Sequence, residues 1–135
     1  MPATMLCTLW DDEHQLRADA AVALARLNVA YTQTFGQELC VSDGYRTLGE
    51  QRAVRSRRGW FAAVPGTSNH GWGRAADLCG GVENAGSREY RWMAENASRY
   101  GWENPAWARS GGNGPREPWH WEYFADGLGN QSVGD

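Results

Sequence analysis

Apolar residues recur at helical spacing through the first third of the chain. Leu16, Ala20, Ala23, Leu27, Ala30 and Thr34 fall on one stripe, and Leu24, Tyr31 and Phe35 widen it. The pattern predicts a first helix over 16–35, with Gly36 as its stop. Leu39 to Ser42 is a short strand candidate, after which Gly44-Tyr45-Arg46 turns the chain. Thr47 and Glu50 make a capping-box pattern, which predicts a second helix to Arg57 that ends at Gly59. Residues 60–69 read as loop, with a turn at Pro65-Gly66. Arg74 to Leu78 reads as a strand. Ser87 is placed to cap a third helix, Arg88 to Tyr100, closed by Gly101. After a loop rich in Gly, Asn and Pro, Trp119 to Phe124 alternates as a last strand. It sets His120, Glu122 and Phe124 opposite Trp119, Trp121 and Tyr123. Helices and strands mix without a βαβ rhythm, so the expected class is α+β. One domain is expected over 1–126, followed by a polar, Gly-rich tail, 127–135, that frays.

Composition narrows the function. The chain has 135 residues, 41% of them hydrophobic and 21% charged, which suits one folded core. A net charge of −3 argues against a nucleic-acid groove or an anionic surface as partner. Each of the thirteen Lys or Arg positions is Arg, a bias that adds no site by itself. No apolar run approaches the ~20 residues of a membrane span. The opening Met1-Pro2-Ala3-Thr4-Met5-Leu6 has neither a basic region nor a long apolar stretch, so no signal peptide is expected there. Eight Trp in so short a chain divide between core and cleft. Three cysteines, Cys7, Cys40 and Cys79, lack CxxC spacing and are not a zinc knuckle. One disulfide with one thiol left over suits an extracytoplasmic protein, whereas three free thiols would suit a cytosolic one. Cys40 lies on the strand leading to Arg46, and Cys79 follows the strand carrying Asp77. If those strands are neighbours, Cys40 and Cys79 pair and Cys7 is left over.

Only three histidines are present. His14 sits in the charged run Asp11-Asp12-Glu13-His14 and reads as a solvated surface residue. His70 lies in Ser68-Asn69-His70-Gly71-Trp72-Gly73-Arg74-Ala75-Ala76-Asp77, where small residues let the backbone pass close to a bound group. Asp77 in a short apolar strand is costly unless paired or bound to metal. His120 lies in Glu117-Pro118-Trp119-His120-Trp121. Pro118 cannot donate to a ladder, so the strand is expected to begin after it, which lets Glu117 swing to the His120 side from the loop. Arg74, three residues before Asp77, is expected to point outward. A catalytic zinc uses three protein ligands and keeps one position for water, and His70, Asp77 and His120 meet that requirement. Glu117 then supplies a non-ligating carboxylate as general base.

The Ser68…His70…Gly73…Ala75…Asp77 segment resembles the SxHxxGxAxD signature of the zinc D-alanyl-D-alanine carboxypeptidases, the family that includes vancomycin-resistance enzymes. Glu117-Pro118-Trp119-His120-Trp121 resembles their E-P-W-H-W element. Ser42-Asp43-Gly44-Tyr45-Arg46, followed by Gln51, is similar to S-G-Y-R-S…Q, with Asp43 as an extra residue or a shifted Ser. Pro65-Gly66-Thr67-Ser68 matches the approach to the metal histidine. The resemblance spans Leu39 to Tyr123 and implies a small central, mainly antiparallel sheet flanked by helices, with Zn2+ in a surface cleft. It implies His70, Asp77 and His120 as ligands, Glu117 as base, Arg46 as the group that holds the substrate or its oxyanion, and peptidoglycan stem peptides as substrate. Ser68 either donates to the substrate carboxylate or caps its loop. Gln51, Trp72 and Trp119 are the remaining candidates for substrate contact, and Trp121 divides between cleft and core.

The expected activity is removal of C-terminal D-Ala by a monomer acting on the cell wall, secreted or delivered there as a lysin module. Two alternatives stand beside it: an endopeptidase of lysin or autolysin type, and a non-catalytic zinc module that binds the wall. Retention of both Glu117 and Arg46 argues against the second.

Overall fold

The computed structural model describes residues 5–45, 73–109 and 116–125. The expected second helix, the loop over 60–69 and the tail from 127 lie outside them, as do Arg46, Gln51, Ser68, His70 and Trp72.

The chain opens with a hairpin that the hydrophobic pattern does not announce. Strands β1 (Leu6–Thr8) and β2 (Gln15–Arg17) pair antiparallel, with Cys7 opposite Leu16. The acidic run that makes the segment look like plain surface builds the turn. Asp11 Oδ1 accepts the Glu13 and His14 amides at 2.9 and 3.0 Å, and Asp12 takes the left-handed conformation, φ 61°. Asp11 and His14 also pair through their side chains.

Helix α1 runs Ala18–Phe35, two residues shorter at its start than the pattern predicts. Leu16 is fully buried, but it reaches the core from β2, whose alternation serves the same apolar stripe. Gly36 ends the helix in the left-handed region at φ 75°, and its amide donates to Thr32 O. Asn28 on the inner face then catches the chain, its Oδ1 accepting the Leu39 amide at 2.7 Å.

Four strands form the central sheet in the order β3-β4-β6-β5, every pairing antiparallel. They are β3 (Cys40–Asp43), β4 (Ala75–Cys79), β5 (Trp102–Glu103) and β6 (His120–Tyr123). β5 is a two-residue strand that the sequence pattern does not reveal. Helix α2 (Arg88–Asn96) starts where Ser87 predicts, with Ser87 Oγ accepting the Tyr90 amide at 3.0 Å. Beyond Asn96 the expected α-helix tightens to a 3-10 turn over Ala97–Tyr100 before Gly101.

One face of the sheet makes the core. Val41, Ala76, Leu78 and Trp121 pack with Leu24, Leu27 and Tyr31 of α1 and Met93 of α2. Trp121 is therefore a core residue. Cys40 and Cys79 stand opposite each other in the β3–β4 register, with Cα atoms 4.8 Å apart, and are joined as a disulfide. Cys7 is free and exposed. Among the described residues no helix is long and apolar enough to cross a membrane.

Candidate active site

The opposite face of the sheet carries the polar residues. β4 and β6 run antiparallel with Asp77 opposite His120, Ala76 opposite Trp121 and Ala75 opposite Glu122. Alternation sends Ala76 and Trp121 into the core and leaves Asp77, His120 and Glu122 on the other side. All three are buried, at 1%, 0% and 1% exposure. His120 Nδ1 lies 3.2 Å from Asp77 Oδ1, and His120 Nε2 lies 2.8 Å from Glu122 Oε2.

Glu117 sits just before this strand, at the start of a β-turn. The His120 amide donates to Glu117 O at 3.0 Å, with Pro118 at the second turn position, where its fixed φ is favoured. The strand thus begins at His120, one residue later than the pattern places it, and Pro118 stays out of the ladder as expected. Glu117 is buried at 3% exposure. Trp119 is half-buried in the same turn, and its carbonyl accepts the Leu78 amide at 2.8 Å, tying the turn to β4.

Asn104 holds this turn from behind. Its Nδ2 donates to Glu117 O at 3.0 Å and to His120 O at 2.8 Å, while Tyr90 Oη donates to Asn104 Oδ1 at 2.7 Å. Arg109 Nε donates to Asn104 O at 2.6 Å. Tyr90, Asn104 and Arg109 also line a cavity of about 260 Å³, floored by Trp102 and Trp121. Trp107, in a 3-10 turn over Ala106–Ala108, lays its ring against His120 with centroids 5.1 Å apart. Neither Asn104 nor Trp107 belongs to a recognisable motif. Only their position just before the Gly-rich loop hints at a link to the last strand.

Two local features explain the segments around Asp77. The β3–β4 register slips between Val41, opposite Leu78, and Asp43, opposite Asp77. A bulge at Ser42 absorbs one residue more on β3 than on β4. Ser42 Oγ donates to Asp77 O at 3.2 Å across it. Gly44 is required by close approach, because a Cβ there would lie 2.9 Å from Gln15 O of β2. Arg74, by contrast, does not point outward. It is 1% exposed, and its guanidinium donates to Tyr123 O at 3.0 Å. Alternation opposite Asp77 sets Arg74 on the face that Ala76 and Leu78 bury, so it is covered rather than turned to solvent.

Residues 13–126 match the family model VanY, described as D-alanyl-D-alanine carboxypeptidase. The chain belongs to this family. A D-alanyl-D-alanine carboxypeptidase of Enterococcus faecalis is 31% identical over an alignment that covers 62% of this chain and 39% of the relative. The chain therefore corresponds to well under half of that relative's length. Among solved structures, a vancomycin-resistance D,D-pentapeptidase VanY mutant in complex with Zn(II) is 26% identical with a TM-score of 0.69, covering 91% of this chain and 82% of the other. VanYB in complex with D-alanine-D-alanine is 27% identical with a TM-score of 0.69, covering 91% and 80%. The LdcB LD-carboxypeptidase is 26% identical with a TM-score of 0.70, covering 90% and 68%. The VanY family thus accounts for the α+β fold and its antiparallel sheet.

The donor chemistry of the described residues fits the zinc that the VanY family implies. Zinc–nitrogen and zinc–oxygen bonds of about 2.0–2.1 Å in a tetrahedron put two ligand atoms about 3.3 Å apart. The 3.2 Å between His120 Nδ1 and Asp77 Oδ1 matches that edge. Among the described residues no group of three His, Cys, Asp or Glu side chains could hold a metal ion, and the third expected ligand, His70, lies outside them. At the sheet edge, burial raises the Glu103 carboxyl above its ordinary range, an effect that Arg109 opposes and Glu122 reinforces.

Proposed function

We propose that the chain is a zinc metallopeptidase that removes the C-terminal D-Ala from peptidoglycan stem peptides. The observation that carries this reading is the pairing of Asp77 with His120 across β4 and β6, on a strand entered through the turn that carries Glu117. The Zn(II) and D-alanine-D-alanine complexes of the similar VanY proteins support it.

His70, Asp77 and His120 would hold the zinc, which when bound polarises the scissile carbonyl and acidifies a water. Glu117 takes the proton of the attacking water and returns it to the departing amine. Arg46 pairs the substrate's terminal carboxylate or the developing oxyanion, with Ser68 as a second donor. Gln51, Trp72 and Trp119 complete the substrate contacts. A wall substrate places the enzyme outside the cytoplasm, and the Cys40–Cys79 disulfide suits such an oxidising compartment.

The likeness to an LD-carboxypeptidase, at a similar TM-score and a similar share of this chain, makes the bond that is cut the point to test. Incubation with defined pentapeptide and tetrapeptide muropeptides, followed by mass analysis, is expected to show loss of one D-Ala from the pentapeptide. Amidation of that D-Ala should lower kcat/KM at least about tenfold, the scale of a lost charged hydrogen bond. Cleavage of the tetrapeptide alone would assign L,D specificity. Cuts between the first two stem residues would assign an endopeptidase, and binding without cleavage a wall-binding module.

A further inference from the structure

Glu122 is a buried carboxylate for which the proposed mechanism has no use. It is 1% exposed, and its neighbour across the β5–β6 ladder is another carboxylate, Glu103. Burying such a group is costly unless a strong hydrogen bond or a charge compensates. Among the described residues Glu122 has one such bond, from Oε2 to His120 Nε2 at 2.8 Å, while Oε1 is buried without a hydrogen-bond partner. The whole compensation for its burial therefore falls on the imidazole of a proposed zinc ligand.

The two ring nitrogens of His120 face two carboxylates. Nε2 meets Glu122 at 2.8 Å and Nδ1 meets Asp77 at 3.2 Å. A carboxylate only accepts, so the shorter contact places the ring hydrogen on Nε2. Nδ1 then turns a lone pair toward Asp77, and the two electron-rich atoms stand at the separation of two ligands of one metal ion. The alternation that puts His120 and Glu122 two residues apart on one face makes the contact an outcome of the strand itself.

We infer that Glu122 is a positioning residue that fixes the tautomer and ring orientation of His120, so that Nδ1 is the atom that meets the zinc and the imidazole gains basicity as a ligand. The inference rests on the zinc site proposed above. Partners of this kind on a ligating histidine are worth about 10–100-fold in metal affinity. Trp107 packs against the same ring, with centroids 5.1 Å apart.

The test compares wild type with Glu122→Gln, which keeps the volume. An amide can donate to an unprotonated Nε2 as well as accept from a protonated one, so it no longer selects a tautomer. Zinc affinity, measured by competition with a chromophoric chelator, is expected to fall about 10–100-fold. In the imidazole region of the 1H–15N spectrum of zinc-loaded wild type, His120 should show a downfield Nε2–H proton and a metal-shifted Nδ1. Contact between the His120 and Trp107 rings assigns the signal. That proton should move upfield in Glu122→Gln. Unchanged zinc affinity with an unchanged Nε2–H signal would overturn the inference while leaving the zinc site standing. So would a variant that only melts at lower temperature and binds zinc normally, or a wild-type spectrum with the metal on Nε2. Wild-type protein that binds no zinc would overturn the zinc site as well.

Discussion

Glu117 and His120 are three residues apart and share one β-turn, yet their side chains are assigned different work, so their substitutions should fail differently. Glu117→Ala is expected to keep the fold and the zinc but to lower turnover about 10²–10⁴-fold, the scale of a positioned acid–base group. His120→Ala is expected to lose zinc, with turnover falling as a consequence. Metal content and steady-state rates on the same preparations check this. Zinc lost equally from both variants would make Glu117 a ligand. At this scale two of the residues that the motifs name, Asp77 and His120, stand opposite each other on neighbouring strands, and Glu117 is buried in the turn that leads into the second. It misplaced Arg74, because alternation sets a residue on a face without saying whether that face is covered, and the face opposite Asp77 is the one that Ala76 and Leu78 bury. It set Glu122 on the His120 face without showing that the two side chains touch.

Among the elements, the turn over 117–120 depends on a neighbour from another part of the chain. Asn104 follows β5 directly, and its one amide serves two buried carbonyls, those of Glu117 and His120. Tyr90 on α2 holds the amide oxygen, which keeps the nitrogen aimed at the turn. Asn104→Ala should leave His120 O short of its donor, at about 1–3 kcal/mol for a buried group left unsatisfied, while Glu117 O keeps the His120 amide. A lower melting temperature and a reduced kcat with little change in KM are expected, since the turn carries the proposed base. Denaturation and steady-state kinetics check it. Normal turnover in a destabilised Asn104→Ala would show that the turn keeps its geometry without the brace. Element boundaries were legible where local chemistry sets them, as with the Ser87 cap, the Gly36 stop and Pro118. The β1–β2 hairpin and β5 were not. Strands of two or three residues carry too few alternations to show, and pairing partners rather than intrinsic pattern create them.

For the whole molecule, the Cys40–Cys79 bridge closes a separation of 39 residues that includes the segment of His70. Chain entropy alone assigns a loop of that size about 4 kcal/mol. Reduction, or Cys40→Ser, is therefore expected to lower unfolding free energy by up to about that amount, with the zinc ligands themselves intact. Chemical denaturation with and without reductant, in the presence of excess zinc, measures it. An unchanged midpoint would mean that the β3–β4 ladder holds without the bridge.

By itself the sequence determined the fold class, the family, the Gly36 stop, the Ser87 cap and the residues expected to bear chemistry. Each of these follows from local periodicity, from turn and cap chemistry, or from the spacing of short motifs along the chain. The disulfide was conditional on two strands being neighbours, and the β3–β4 register met the condition. Only the tertiary structure decided that Asp77 stands opposite His120, that Glu122 takes the other ring nitrogen, that Asn104 braces the turn and that Arg74 is buried. These are contacts between segments up to 49 residues apart, or depend on burial that such contacts create. Residue order specifies neighbours along a strand, but the register between strands is settled by the whole core packing at once.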